Sequence, residues 1–130
     1  MGKLEDLLVD EDALDRDALG AGLGPYLKVG KTGTLRPADG WRNLTQRDRV
    51  LAVLLGIKAG HVLGVRDHEE ASATEVTEQV GAAGGTVRPI LRGLMEAGFI
   101  AQGRSGAYFV PAMAVPRAVA SLGAGGRRRR

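Results

Sequence analysis

The alternation of short periodic segments with glycine turns between residues 72 and 111 leaves this chain few folds to choose from. The segment reads ATEVTEQV, GAAGG, TVRPILRGLMEAG, FIAQ, GRSG and AYFV after Ser72. Ser72 and Glu75 have the spacing of a capping box, and Val76 and Val80 share a face of the short helix that follows. The glycines of the GAAGG turn permit positive φ and a close approach of two helices. A second helix comes next and stops at Gly98, in the left-handed position that glycine favours. Residues 99–102 and 107–110 then read as two short strands around a tight turn at 103–106.

Pro89 bears on where the second helix begins. A proline is tolerated in the first turn, where its missing N–H has no intrahelical partner. That places the start near Gly85 or Thr86. Val87, Leu91 and Leu94 then form a buried stripe, flanked by Ile90 and Met95. Thr86, Arg88, Pro89, Arg92 and Gly93 fall on the remaining surface. Arg88 and Arg92 are four apart and project from one side.

Upstream, Thr45 and Asp48 are spaced as a capping pair. The run VLAVLLGIKAGHVLG after them is apolar over much of a helical circumference. Such a helix is covered on several sides, so it is expected at the centre of the core or at a subunit contact. Residues 26–29 and 34–36 read as a small hairpin or an extended arm around Gly30-Lys31-Thr32-Gly33. The GKT string is not a phosphate loop, because five residues instead of four separate Gly24 from Gly30 and no helix follows. Near the N-terminus, Leu4, Leu7 and Leu8 share a helical face, and a second short helix is expected from about Asp12 to Leu19. Gly20, Gly22, Gly24 and Pro25 are expected to break it. Arg66-Asp67-His68-Glu69-Glu70 reads as a solvated charged loop, and with His61 it matches no metal-ligand spacing. Met113, Val115, Val119 and Leu122 suggest a closing helix from about Pro116.

The chain divides as an acidic N-terminal extension at 1–40, packed on the core or arm-like, a main domain at 41–122, and a flexible basic tail at 123–130. The 130 residues suit a single core, built chiefly from aliphatic side chains because aromatics are 4% of the sequence. No cysteine is present, so disulfides and thiolate metal sites are excluded. The start of the chain lacks a cationic region followed by an apolar run, and no segment reaches about 18 apolar residues. A cytoplasmic protein with no membrane partner is expected.

Charge is distributed unevenly. Residues 1–40 carry five Lys/Arg against eight Asp/Glu, a net of −3, and residues 41–82 carry five against six, a net of −1. Residues 83–130 carry eight arginines against the single acid Glu96, a net of +7. A one-sided cationic field of this kind is the footprint of a polyanion binder.

The phrase TEVTEQVGAAGGTVRPILRGLMEAGFIAQGRSGAYFVP resembles the winged-helix DNA-binding family of prokaryotic transcription regulators. The likeness covers about 40 residues, or about 60 with the helix from Thr45. It implies an α+β, mainly α fold: a winged helix-turn-helix with an N-terminal helical or extended extension and a C-terminal helix. It further implies a regulator or architectural protein of double-stranded DNA, nucleoid-associated, and paired into a homodimer through the terminal helix. In helix-turn-helix modules the second helix enters the major groove with its N-terminal residues toward the bases. The expected contacts are therefore Thr86, Arg88, Pro89 and Arg92 on that helix, with Arg104 and Ser105 at the hairpin tip. Arg127, Arg128, Arg129 and Arg130 in the tail would add salt-sensitive phosphate affinity. The competing expectation is a winged-helix protein–protein adaptor, since fold does not fix function. No nucleophile–base pair, carboxylate dyad or metal cluster is evident, so neither an enzyme nor a cofactor is expected.

Overall fold

The computed structural model describes residues 14–123. The order is α1 (Arg16–Leu23), β1 (Leu27–Val29), β2 (Leu35–Pro37), a 3₁₀ turn (Asp39–Asn43), α2 (Gln46–Val62), α3 (Ala73–Val80), α4 (Gly84–Glu96), β3 (Ala101–Gln102), β4 (Tyr108–Phe109), a second 3₁₀ turn (Ala112–Ala114) and α5 (Val115–Ser121). β1 pairs antiparallel with β2, and β3 with β4. The fold is mixed α+β and mainly helical, as expected.

The core is organised around α2. Residues 50–58 are all buried, because α1, α3, α4, α5 and both strands of the first hairpin lie against this one helix. The sequence left two roles open for α2, and the chain's own elements cover it on every side through that span. The Thr45 hydroxyl accepts from the Asp48 amide, closing the first turn. The Asp48 carboxylate does not reach back to Thr45. It is 1% exposed, pairs with Arg47 at 2.8 Å and accepts from the Gly123 amide at 3.0 Å. The head of α2 is thereby tied to the end of α5.

The N-terminal region shares this core. Leu19, Leu23, Leu27 and Leu35 belong to the same buried cluster as α2. Leu27 and Leu35 approach α2 at Gly56, where an added Cβ would meet their methyls at 3.2 and 3.1 Å. The expectation that glycines 20 and 22 would break the first helix is corrected here. α1 is capped by Asp15 and runs straight through both. Gly22 has a packing role: a Cβ there would lie 2.5 Å from Val119 Cβ on α5. The absence of a side chain lets the two helices touch, and that contact outweighs glycine's poor helix propensity. The expected helix on Leu4, Leu7 and Leu8 lies outside the described residues.

The charged loop after α2 is also corrected. Lys58, 6% exposed, pairs with Glu69 at 2.5 Å. Arg66 donates to the Gly33 carbonyl at 3.0 Å and to Glu75 at 2.6 Å. Two residues of the supposedly solvated run, Arg66 and Glu69, therefore bolt the first hairpin, α2 and α3 together. Ala71 exchanges two backbone hydrogen bonds with Tyr108, which ties the same loop to β4.

α3 is capped by Ser72 as expected and ends at Gly81 with φ +79°. α4 begins at Gly84, one or two residues earlier than the proline reasoning gave, with Ala83 as its cap. Pro89 is thus the sixth helical residue and lies beyond the first turn. Its missing N–H leaves the Gly85 carbonyl without an i+4 donor, and the exposure of both residues lets solvent take that place. The buried stripe of Val87, Leu91 and Leu94 is as expected. The last hairpin is shorter than the sequence suggested, with two residues in each strand.

Candidate functional site

The inner face of α4 is fixed by burial, and this decides what the outer face presents. Val87 and Leu91 are 0% and Leu94 1% exposed. Thr86, Arg88, Pro89, Arg92 and Gly93 are all exposed on the opposite side. Ala83 offers no side-chain cap, and the first amide of the helix region with an acceptor is that of Thr86, which donates to Ala83. Gly84 and Gly85 have nothing within 4 Å of where a Cβ would stand, so the head of α4 is bare backbone. Its free amides carry the positive end of the helix dipole.

Arg88 and Ser105 come together. They line one cleft of about 510 Å³, with Ser72, Thr74, Gln102 and Tyr108 among its other walls. The start of α3, the flank of α4 and the second hairpin thus meet at a single polar hollow. Arg92 and Arg104 are exposed outside it. The tail arginines 127–130 lie outside the described residues.

The arginines of this half of the molecule fall into two groups. Arg47 and Arg117 each stack on Phe99 at 5.3 Å, and Arg117 also donates to the Gly98 carbonyl at 2.9 Å, closing the end of α4. Arg49 covers Trp41 at 5.5 Å and donates to backbone carbonyls at 41 and 42. These side chains hold the fold together. Arg88, Arg92 and Arg104 have no hydrogen-bond or ion-pair partner among the described residues.

Two acids bear on the site. Glu96 is exposed near the far end of α4, as expected. Glu70 was missed. Ser105 donates to Glu70 at 3.4 Å, so a residue assigned to DNA contact is held by a carboxylate in the free protein. The two lie 35 positions apart, and only the pairing of Ala71 with Tyr108 brings them together. Thr74, Gln102 and Tyr108 were missed for the same reason, since no local pattern marks them, and the capping pattern that marks Ser72 says nothing of the cleft it lines. The acidic excess of residues 1–40 lies outside the described residues: positions 14–40 hold four Lys/Arg against three Asp/Glu, and positions 1–13 hold one against five.

Among the described residues no three His, Asp or Glu side chains converge, and no helix is long and apolar enough to cross a membrane. No family model, curated protein or solved structure matches this chain significantly.

Proposed function

We propose that this chain is a winged-helix protein that binds double-stranded DNA, with α4 as the reading helix and the β3–β4 hairpin as the wing. The observation that carries the reading is the division among the arginines. Arg47, Arg49 and Arg117 brace the fold and have partners, while Arg88, Arg92 and Arg104 are exposed and have no hydrogen-bond or ion-pair partner among the described residues. The bare head of α4 adds backbone amides that suit a phosphate. Thr86 and Pro89 stand beside them at the groove-facing end, and Ser105 joins from the wing. The homodimer implied by the family resemblance belongs to the same proposal, with Met113, 55% exposed next to α5, available to a second subunit.

Duplex binding followed by fluorescence anisotropy across a salt series tests the reading. Wild type is expected to bind with an affinity that falls steeply as salt rises. Arg88→Ala and Arg92→Ala are each expected to weaken binding about tenfold and to reduce the salt slope by about one if the lost contact is to phosphate. Absence of binding at about 50 mM salt rejects the proposal.

The adaptor reading is favoured by a different surface. α1, β1 and the end of α2 enclose an apolar groove of about 440 Å³, with Leu63 on its rim 59% exposed. On that reading Leu63→Glu abolishes a protein contact that survives nuclease treatment, and the arginine variants leave it intact.

A further inference from the structure

We infer that Glu70 sets both the position and the net charge of the β3–β4 hairpin, and so limits how tightly the proposed interface holds DNA. The inference rests on the DNA reading for its charge effect and on geometry alone for its positioning effect.

The loop from Arg66 to Ala71 is anchored at four of its residues: Arg66 to Gly33 and Glu75, Glu69 to Lys58, Glu70 to Ser105, and Ala71 to Tyr108. Glu70 therefore stands on a fixed support behind the hairpin turn. Its carboxylate accepts from the Ser105 hydroxyl, and that hydroxyl also accepts from the Ala107 amide at 3.5 Å. On the other side of the turn it lies against Gly103, where an added Cβ would collide with one carboxylate oxygen and crowd the other and the carbon between them. The turn is clasped at both of its shoulders, with Arg104 between them.

The charge consequence follows from what is absent. Glu70 forms an ion pair with no Lys or Arg among the described residues, whereas Glu69 and Glu75 on either side of it are both paired. The hairpin from 99 to 110 contains one charged residue, Arg104. With Glu70 behind it, the hairpin presents no net charge to an approaching phosphate. The positive field then comes from α4, and the hairpin contributes shape more than attraction.

Glu70→Gln separates the two effects. The glutamine carbonyl still accepts from Ser105, while the negative charge is gone. In the full chain it is expected to bind a random-sequence duplex about two- to fivefold more tightly than wild type at about 100 mM salt, the gain expected from removing one like charge near the phosphates. Glu70→Ala loses the clasp as well. Amide exchange at Gly103 and Gly106, which donate to Ala107 and Gly103 within the turn, is expected to stay slow in wild type and in Glu70→Gln and to accelerate at least threefold in Glu70→Ala. Equal or weaker DNA binding by Glu70→Gln overturns the charge effect. Unchanged exchange in Glu70→Ala overturns the positioning effect. If wild type binds no DNA, the functional reading and the charge effect fall together, and the exchange measurement still decides whether Glu70 holds the turn.

Discussion

Two glycines in α1 are expected to respond to alanine with opposite signs. At Gly22 an added Cβ would sit 2.5 Å from Val119 Cβ, 3.0 Å from its Cγ2 and 3.1 Å from its Cγ1. Carbon atoms rest at about 3.5–4.0 Å, so α1 and α5 must separate by about 1 Å. Overpacking of this kind costs about 1–3 kcal/mol. The higher helix propensity of alanine offsets about 1 kcal/mol of that cost. Gly22→Ala is therefore destabilised by about 1 kcal/mol. At Gly20, in the same helix, nothing lies within 4 Å of the added methyl. Only the propensity gain remains, and Gly20→Ala is stabilised by about 1 kcal/mol. The two variants should differ by about 2 kcal/mol, or about 8 °C in Tm at this chain length. Urea and thermal unfolding followed by circular dichroism read the difference directly. Val119→Ala should not rescue Gly22→Ala, because the nearest atom is the valine Cβ itself, which alanine retains. Equal stability of the two glycine variants, or a more stable Gly22→Ala, refutes the account of the α1–α5 contact.

Other substitutions probe other contacts. Pro89→Ala restores an intrahelical donor to the Gly85 carbonyl and is expected to raise stability by about 1 kcal/mol in thermal melts, well under the full cost of an interior proline because solvent already reaches that carbonyl; a gain of about 3 kcal/mol would refute the solvation of Gly85. Glu69→Ala strands the buried Lys58 and is expected to cost about 2 kcal/mol, below the usual range for a broken buried pair because Glu69 reaches water, while Lys58→Met with Glu69→Leu returns the loss in urea titrations. Deleting residues 1–24 removes Leu19 and Leu23 from the core at about 2 kcal/mol each and should visibly destabilise the protein. Deleting 1–13 spares both and removes five acids, so tighter duplex binding by that shorter deletion is the expected sign that the segment repels DNA.

What was legible in the sequence was local. Thr45, Ser72, Gly81 and Gly98 mark helix ends through hydrogen bonds or backbone angles that span a few residues, and each does so in the structure. The stripe of Val87, Leu91 and Leu94 needed only helical spacing. What failed depended on partners distant in sequence. Gly22 looks like a breaker until α5 is laid against α1. Arg66 and Glu69 look solvated until Gly33, Glu75 and Lys58 are placed around them. Pro89 misled differently: the rule that it must sit in the first turn assumes a costly loss, and at an exposed helix start solvent reduces that loss.

The candidate site shows the same division, with a consequence for its charge. Arg88, Arg92 and Arg104 were selected by residue type and helical position, and their exposure agrees with that selection. Counting charge along the chain, however, treated all arginines after residue 83 alike and found one acid among them. Folding alters the sum in two ways. Arg117 is drawn into the end of α4 and the face of Phe99, so it serves packing. Glu70 arrives from outside the counted span and sits against Gly103 and Ser105, the two neighbours of Arg104 in the turn. The cationic field is therefore narrower than the sequence suggests, centred on α4 and not spread evenly onto the hairpin. In the duplex anisotropy assay, a variant that adds a positive charge to the hairpin should consequently gain more affinity than one that adds the same charge to α4, where Arg88 and Arg92 already share one side of the helix; an equal gain at both places would mean that the hairpin is not the less cationic surface.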